Sequence, residues 1–245
     1  ALPPDVTVLR NTARAGVARS RNAGARVATG DLLVFSDAHV APAGGWLDLL
    51  VAAAERPDVG AVGPTLTHLS GAPGLGRGLT WVSTALQLRW LSEGGAEPLP
   101  VPLLCGCFVA VPRAAFEQVG GFDERFAPYG GEDVELCVRL WRLGYECRVE
   151  PRALVAHRFR PADPDELRAE ERVYNLLRIG TLHFGPAQLA QLRRALERQR
   201  GFAAAQARLE ESDVASRRAA LDAAAAVDPG WFFRRFDLTC FEAAA

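Results

Sequence analysis

The sequence predicts an α/β fold, with helices on both faces of a mostly parallel sheet and a helical extension after it. Short apolar runs typical of buried strands alternate with stretches of helical periodicity through residues 6–160. Beyond that point the chain carries helix signals alone. We therefore predict two parts, an α/β region of residues 1–160 and a helical extension of residues 161–245.

The first quarter of the chain shows this alternation most clearly. Runs rich in Val, Leu and Phe predict strands, and segments with small or apolar residues at helical spacing predict helices. Strands joined through helices lie parallel in a doubly wound sheet with right-handed connections. The predicted strands and helices alternate over residues 6–9, 16–28, 32–35, 45–56 and 59–62.

The middle of the chain is less regular. Residues 70–102 are rich in Gly and Pro at both ends, and they fit either a substrate-covering loop or a plain surface excursion. Within this segment we predict a helix over residues 79–91. Residues 103–111 are apolar throughout and predict a buried strand. Pro112 then begins a helix that a glycine pair ends, since proline fits the first helical turn and glycine the position after the last.

The second half begins with a helix and ends in several. Residues 130–143 carry one broad apolar face, which predicts a helix, and two short strands are expected at 146–150 and 153–156. Asp163 followed by Pro164 is a strong helix start, because aspartate caps free amides and proline fits the first turn. Helices of the extension are predicted over residues 165–184, 186–200, 213–227 and 229–236.

Composition excludes several classes of protein. The 245 residues carry a formal net charge of -1, so no nucleic acid is expected as a partner. All 28 basic residues are arginine, which excludes chemistry that needs a lysine amine. The five cysteines are odd in number and form no CxxC pair, which argues against a zinc knuckle or a disulfide framework. Reduced cysteines favour a cytoplasmic protein.

Membrane association is the alternative to a purely cytoplasmic location. No apolar stretch reaches membrane-spanning length. One predicted helix of the extension has a leucine stripe and an arginine-rich opposite face, which we interpret as solvated charge, with binding to lipid head groups as the alternative. No sequence feature specifies an oligomeric state. The arginines of this face are Arg193, Arg194, Arg198 and Arg200.

Three residues at predicted strand ends suggest a metal site. Asp37 and His39 follow the strand at 32–35, and side chains two apart on an extended backbone point the same way. His157 follows the last predicted strand, and together the three would give a mixed carboxylate and imidazole site with positions left for phosphate oxygens. The alternative is ordinary turn chemistry for the pair and a structural role for the histidine.

Two adjacent carboxylates begin a predicted helix. Glu132 and Asp133 follow a loop bracketed by two glycine pairs. A helix N-terminus stabilises anionic side chains through its free amides and its dipole, so Asp133 would stay ionised and able to accept a proton. The alternative is an acidic cap, which is common in first turns.

These segments together resemble the GT-A glycosyltransferases, specifically family 2 and the related polypeptide N-acetylgalactosaminyltransferases. The likeness extends over about residues 6–160, and the matching segments come in the expected order. It implies the GT-A fold, a Rossmann-like sheet flanked by helices. The matching segments are residues 16–24 (GVARSRNAG), 28–39 (ATGDLLVFSDAH), 45–47 (GWL), 106–111 (GCFVAV), 120–123 (GGFD), 129–136 (YGGEDVEL) and 157–160 (HRFR).

The resemblance implies a nucleotide-sugar donor and a divalent cation, manganese rather than magnesium. Asp37 and His39 stand where this family has its Asp-x-Asp motif, through which the metal meets the donor diphosphate, and His157 matches the third protein ligand. The metal would neutralise charge on the departing diphosphate. Further donor contacts are implied for Arg21, Arg158 and Arg160, in addition to Asp37.

The resemblance also implies catalytic and acceptor-side roles. Asp133 matches the base that deprotonates the acceptor hydroxyl in inverting enzymes, and Glu132 the residue that binds sugar or acceptor hydroxyls. The retaining relatives usually have Asn and Trp at positions 133 and 129, so the chain mixes two patterns, and we favour inversion. The acceptor-side loop is formed by Tyr129, Gly130 and Gly131.

Three functions remain open at this point. The leading one is a metal-dependent glycosyltransferase that uses a nucleotide-diphosphate sugar, with uridine as the expected base and a saccharide, peptide, lipid or metabolite as acceptor. The resemblance implies first nucleotide-binding strands that we expect to be missing from this sequence, which motivates a second reading, a non-catalytic scaffold of the same fold. The third is a nucleotidyltransferase.

Overall fold

The computed structural model describes residues 3, 5–72, 74, 76–159 and 168–241, which form a sheet with helices on both of its faces. Strands are β1 (Leu32–Ser36), β2 (Val40–Pro42), β3 (Val59–His68), β4 (Leu79–Trp81), β5 (Leu88–Trp90), β6 (Leu99–Pro100), β7 (Phe108–Pro112) and β8 (Glu146–His157). Helices are α1 (Val17–Val27), α2 (Trp46–Ala54), α3 (Arg113–Gln118), α4 (Glu132–Arg142), α5 (Ala169–His183), α6 (Pro186–Leu196), α7 (Phe202–Glu210), α8 (Val214–Ala224) and α9 (Trp231–Arg235).

The α/β class is confirmed, but the sheet is mixed and not mostly parallel. Its order is β1-β7-β3-β8-β2, with β6 also paired to β8. Only β3 and β8 pair in parallel among the described strands, and the other pairs are antiparallel. The strand-helix-strand alternation suggested that β1 and β3 would be parallel neighbours. Instead β7 lies between them, antiparallel to both, so the α2 crossover does not join adjacent strands.

Helices cover both faces of the sheet, as predicted. On one face α2 closes a small apolar cluster that includes Leu50, Val62 and Val155. On the other face a larger cluster contains residues of the sheet, of α4 and of the helices after residue 168, such as Val134 and Leu177. The predicted boundary between residues 160 and 161 stays a prediction, because buried residues from both sides pack in this one cluster.

Two predicted elements have a different structure. Residues 6–9 do not form the predicted strand, because they pair with no described strand and a strand needs a partner for its backbone hydrogen bonds. Val6, Val8 and Leu9 are about half exposed. Residues 79–91 form the β4–β5 hairpin and not a helix. Trp81 and its neighbours are aromatic or β-branched, which suits a ladder better than a helix.

Other differences concern element boundaries. The strand predicted from residue 103 starts at Phe108, and the two short strands before His157 are one strand, β8, with a bulge opposite Pro64 and Thr65. Helix α7 was not predicted, because Gly201 before it was interpreted only as the end of the preceding helix. The predicted helix start at 163–166 lies outside the described residues, within which α5 begins at Ala169.

The surface helix α6 has the predicted two faces. Leu192 and Leu196 are fully buried, whereas Arg193 and Arg194 on the opposite face are exposed. The helix ends at Leu196 and not at residue 200 as predicted, so the exposed Arg198 and Arg200 lie beyond it. Within the described ranges, none of the helices combines the length and the apolarity that crossing a bilayer requires.

Helix α4 carries a buried charge network one turn below its acidic start. Glu135 Oε2 accepts a hydrogen bond from Arg139 Nη2 at 2.7 Å, and Glu135 Oε1 lies 2.9 Å from His183 Nε2 of α5. All three side chains are fully buried. Burial opposes ionisation of Glu135, but Arg139 and His183 outweigh it and hold its pKa at about 2. The network therefore fixes α4 against α5 with a carboxylate that stays charged.

We predict that Glu135→Gln costs about 3–5 kcal/mol of unfolding free energy, because it leaves Arg139 buried without its counter-ion. The folded-state pKa of Glu135 lies below the ordinary 4.5, so this contribution is complete above pH 4.5 and is lost as the pH falls toward 2. Urea titrations from neutral to acidic pH measure both effects. The matched control is Glu117→Gln, which breaks an exposed Arg113–Glu117 pair at the same spacing and should cost less than about 1 kcal/mol. Equal losses for the two variants would contradict the assignment.

Candidate metal and catalytic site

The three predicted metal ligands meet where β1, β2 and β8 end or begin. Residues 37–39 form a bend between β1 and β2, so Asp37 and His39 approach each other across this bend and not along a continued extended strand. The Asp37 amide donates a hydrogen bond to the Cys107 carbonyl at 2.9 Å, and Val40 pairs with His157. The Arg158 amide donates to the His39 carbonyl at 3.1 Å. Backbone bonds to two other segments thus fix this bend beside the end of β8.

The distances suit a shared cation. Asp37 Oδ2 lies 3.3 Å from His157 Nε2 and 3.7 Å from His39 Nε2, and one ligand atom from each residue lies within 4.8 Å of the others. Ligands bound at roughly 2.1 Å to one octahedral ion lie about 3 Å apart. Asp37 and His39 are one-third exposed, so a ligand molecule in solvent can approach the same point. The geometry therefore brings together all three residues as the sequence suggested.

The protonation state of His157 also suits a metal ligand. Burial lowers its pKa, although the Asp37 carboxylate opposes that effect. The imidazole is therefore neutral at physiological pH, and only the neutral ring offers a lone pair to a cation. Its buried Nδ1 has no hydrogen-bond partner among the described residues, so no described group fixes which ring nitrogen carries the proton.

Arg21 of α1 connects this cluster to helix α4. Its Nη2 donates to the Gly106 carbonyl at 2.6 Å and lies 3.6 Å from Asp37 Oδ1, while Nη1 lies 3.3 Å from Glu132 Oε1. The guanidinium is mostly buried, so its charge is only weakly screened there. A fixed positive charge therefore lies between the candidate metal ligands and the acidic start of α4.

Asp133 and Glu132 occupy the first turn of α4, as predicted. Asp133 Oδ2 accepts a hydrogen bond from the Gly106 amide at 2.7 Å. Glu132 Oε2 accepts one from the Gly130 amide at 3.1 Å. Burial and the neighbouring Asp133 raise the pKa of Glu132 to about 7, although Arg21 opposes them. The two carboxylates therefore differ in environment. Glu132 is partly protonated at neutral pH, whereas Asp133 accepts hydrogen bonds from two backbone amides, those of Gly106 and Val134.

The loop before α4 is held in place by α5. Asn175 Nδ2 donates to the carbonyls of Tyr129 and Gly130, at 3.0 Å and 2.7 Å. Gly130 and Gly131 adopt φ angles of 92° and 87°, a region that favours glycine. The Tyr129 side chain is 41% exposed. All three loop residues thus lie next to Asp133, where the sequence predicted an acceptor-side loop.

The two arginines after His157 are not part of the cluster as described. Arg158 is exposed, and its backbone amide makes the bond to His39 noted above. Arg160 lies outside the described residues. Their predicted donor contacts stay predictions.

Sequence reasoning gave no role to residues 105–107. Gly106 contacts Arg21 through its carbonyl and Asp133 through its amide, and Cys107 holds the Asp37 backbone. The glycine in the apolar run at 103–111 is the signal that marks this close approach, because a side chain there would strike its neighbours.

Comparisons with known proteins show which family the chain resembles. Residues 1–120 match the family described as "Glycosyl transferase family 2", and residues 95–160 match "N-terminal domain of galactosyltransferase". The chain is a GT-A-fold protein that resembles family 2 glycosyltransferases. Its first 120 residues thus match the family on which the glycosyltransferase hypothesis from the sequence was based.

Curated relatives are N-acetylgalactosaminyltransferases. The chain is 29% identical over 200 residues to "Probable N-acetylgalactosaminyltransferase 6" of Caenorhabditis elegans, an alignment covering 73% of this chain and 32% of the relative. It is 30% identical over 191 residues to human "Polypeptide N-acetylgalactosaminyltransferase 18", covering 72% of this chain and 31% of that protein. The chain thus spans about a third of the length of these relatives.

A solved structure shares the fold. The "Crystal structure of GalNAc-T7 with UDP, GalNAc and Mn2+" superposes with a TM-score of 0.75 at 19% identity, covering 94% of this chain and 45% of that chain. At this identity the likeness shows the fold of this chain, which is the GT-A fold, and nothing beyond the fold.

We predict that Gly106→Ala strains the site. A Cβ there would lie 2.8 Å from Arg21 Nη1 and 2.9 Å from Asp133 Oδ2, closer than packed atoms tolerate. The expected loss of unfolding free energy in urea titrations is about 1–3 kcal/mol. Gly95→Ala is the control, because a Cβ there meets no atom within 4 Å. If both variants are as stable as the parent, Arg21 and Asp133 do not pack on Gly106 as described.

Proposed function

We propose that this chain is a catalytic region of a metal-dependent glycosyltransferase. In this proposal it moves a sugar from a nucleotide-diphosphate sugar, with uridine diphosphate as carrier, to an acceptor hydroxyl with inversion of configuration. One observation carries the proposal: the Asp37, His39 and His157 cluster is connected to the two carboxylates that begin α4. Arg21 contacts Asp37 and Glu132 directly, and it reaches Asp133 through Gly106. A site for a charged leaving group and a site for proton transfer thereby lie side by side.

The donor set fits a divalent transition metal, and we propose manganese. Asp37 would offer a carboxylate oxygen, and His39 and His157 would offer neutral imidazole nitrogens. Two imidazoles disfavour magnesium, which prefers oxygen ligands. The structural neighbour that shares this fold was crystallised with UDP, GalNAc and Mn2+, which supports the same choice. When bound, the ion would supply positive charge beside the diphosphate.

Donor positioning falls to two arginines and Glu132. Arg21 would hold positive charge beside the leaving diphosphate, and Arg158, at the exposed end of β8, can reach phosphate oxygens. Glu132 would bind a sugar hydroxyl, since its pKa of about 7 leaves a proton available for donation near neutral pH. Arg160 is kept as a candidate donor contact on sequence grounds alone.

Asp133 would act as the base. Its carboxylate takes the proton of the acceptor hydroxyl as that oxygen bonds to the anomeric carbon, and the bond from this carbon to the phosphate oxygen breaks. The released diphosphate carries away the electron pair of the broken bond. A base on the side opposite the leaving group gives inversion. Hydrogen bonds from the Gly106 amide and from the Val134 amide in the first turn of α4 orient this carboxylate.

The scaffold and nucleotidyltransferase readings make different predictions for the products. The decisive experiment incubates the chain with Mn²⁺ and a panel of nucleotide sugars and measures the nucleoside diphosphate that is released. Release of diphosphate with sugar transfer or hydrolysis supports the glycosyltransferase. Pyrophosphate release would support a nucleotidyltransferase, and no turnover with any donor, together with no Mn²⁺-dependent thermal shift, would support a scaffold.

We predict that His39→Ala and Asp37→Asn each weaken Mn²⁺ binding at least about 10-fold, because each removes one of three ligand atoms. Isothermal titration calorimetry with and without uridine diphosphate measures this. His68→Ala is the matched control, since His68 pairs with His157 in the β3–β8 register but lies outside the three-residue cluster. Equal Mn²⁺ affinity in all three variants would remove the metal site from the proposal.

We predict that Asp133→Asn lowers sugar transfer by about 10²–10⁴-fold, since an amide of the same shape cannot accept the proton. Donor binding, measured by calorimetry with uridine diphosphate and Mn²⁺, should stay within about twofold, because the amide oxygen can still accept the Gly106 hydrogen bond. Asp48→Asn, an exposed change on α2, is the control and should leave both quantities unchanged. Loss of donor binding in Asp133→Asn would show that this carboxylate holds the donor instead.

A further inference from the structure

A small cavity opens beside Asp133, and none of its described lining residues belongs to helix α1. We call it the Trp81 pocket. It has a volume of about 170 Å³ and lies between the β4–β5 hairpin, the start of α4 and helix α5. Its apolar lining is formed by Trp81, Leu86, Leu88, Val134, Leu176 and Ile179.

The lining of the Trp81 pocket selects against charged groups. Of the described residues that line it, two carry charge, Asp133 and Arg172. A diphosphate or a run of sugar hydroxyls placed against the apolar wall would lose hydration without gaining hydrogen bonds. The donor therefore belongs on the Arg21 side of Asp133, and an apolar group on this side.

The volume sets the size of that group. An apolar cavity of about 150 Å³ binds benzene, so 170 Å³ suits a phenyl ring or a branched alkyl group of similar size. Apolar walls with a small number of polar groups are typical of small-molecule sites.

The walls of the pocket are packed from behind, so the cavity is formed before any molecule binds. Trp81 is 3% exposed, and its ring packs against Phe184 and Phe232 at centroid distances of 5.4 Å and 5.6 Å. Leu86 is 4% exposed and takes a φ of 59° at the hairpin turn. On the other wall, Asn175 fixes the loop that precedes Asp133.

We propose that the Trp81 pocket binds a phenyl-sized apolar group of the acceptor, next to the hydroxyl whose proton Asp133 takes. This inference rests on the proposed function, because it uses Asp133 as the base. It assigns the acceptor to the class of alcohols with an aromatic or branched alkyl group close to the reacting hydroxyl. Asp133 then belongs to both halves of the site: it contacts Gly106 beside Arg21, and it lines the pocket.

One residue of the pocket gives a direct readout. Ile179 is the only isoleucine in the sequence, so protein labelled with ¹³C at the isoleucine δ1 methyl gives one signal, and it reports on this cavity. Titration with benzyl alcohol should shift that signal in a saturable way. Titration with glycerol, a polar alcohol, should not. No saturable shift with benzyl alcohol would overturn the proposal.

A filling variant localises the effect. Leu176→Trp should remove the benzyl alcohol response, whereas Leu47→Trp, an exposed leucine on α2, should retain it. Leu88→Arg, on the opposite wall and 43% exposed, is the second variant if Leu176→Trp does not fold. If a folded variant of these two keeps the benzyl alcohol response, the alcohol does not bind in the Trp81 pocket.

Transfer kinetics connect the pocket to the reaction. With a donor that turns over, transfer to benzyl alcohol should exceed transfer to ethanol at least about 10-fold, as burial of a phenyl group predicts, and Leu176→Trp should bring that ratio near one. Leu47→Trp, the exposed control, should keep both the ratio and the rate of donor hydrolysis without acceptor. Absence of any donor turnover would defeat the proposed function while the Ile179 titration still reported on binding. Turnover with no preference for benzyl alcohol would defeat this inference alone.

Discussion

The charged half of the candidate site depends on one mostly buried guanidinium. Arg21 meets the Gly106 carbonyl and lies within 3.6 Å of both Asp37 and Glu132. Three acidic groups, those two and Asp133, thus gather in a small volume where their mutual repulsion would otherwise be large. Without this cation the start of α4 and the bend after β1 would repel each other. Arg21 thereby makes an acidic, partly buried site compatible with folding.

Helix α4 turns that local compensation into a fixed geometry. Its first turn presents Glu132 and Asp133, and one turn later Glu135 is tied to Arg139 and to His183 of α5. The apolar face of the helix lies in the larger core. Glu132 and Asp133 are therefore carried by an element that can hardly rotate, which would keep Asp133, the proposed base, in one orientation.

From the sequence, the grouping of the candidate site residues could be predicted better than the pairing of the strands. Asp37, His39 and His157 could be grouped because strand ends in α/β proteins converge, and Asp133 because an acidic pair after glycines indicates a helix start. The strand pairing was not readable, since β7 enters between β1 and β3 from far along the chain. The hairpin at 79–91 was missed because short apolar runs fit helix and strand alike. The Gly106 contacts were not predicted, because they depend on three distant segments. The glycine within an apolar run is their one local signal, and it does not name the residues that approach it.

The three-residue strand β2 is held to the sheet through its pairing with the last residues of β8. His39 immediately precedes β2, and His157 ends β8. An ion shared by the two imidazoles would therefore cross-link the outer strand β2 to its inner neighbour β8. Occupancy at one hundred times the dissociation constant contributes about 2.7 kcal/mol of stability to a folded protein. The amount of intact chain in a cell would then follow the supply of the metal itself.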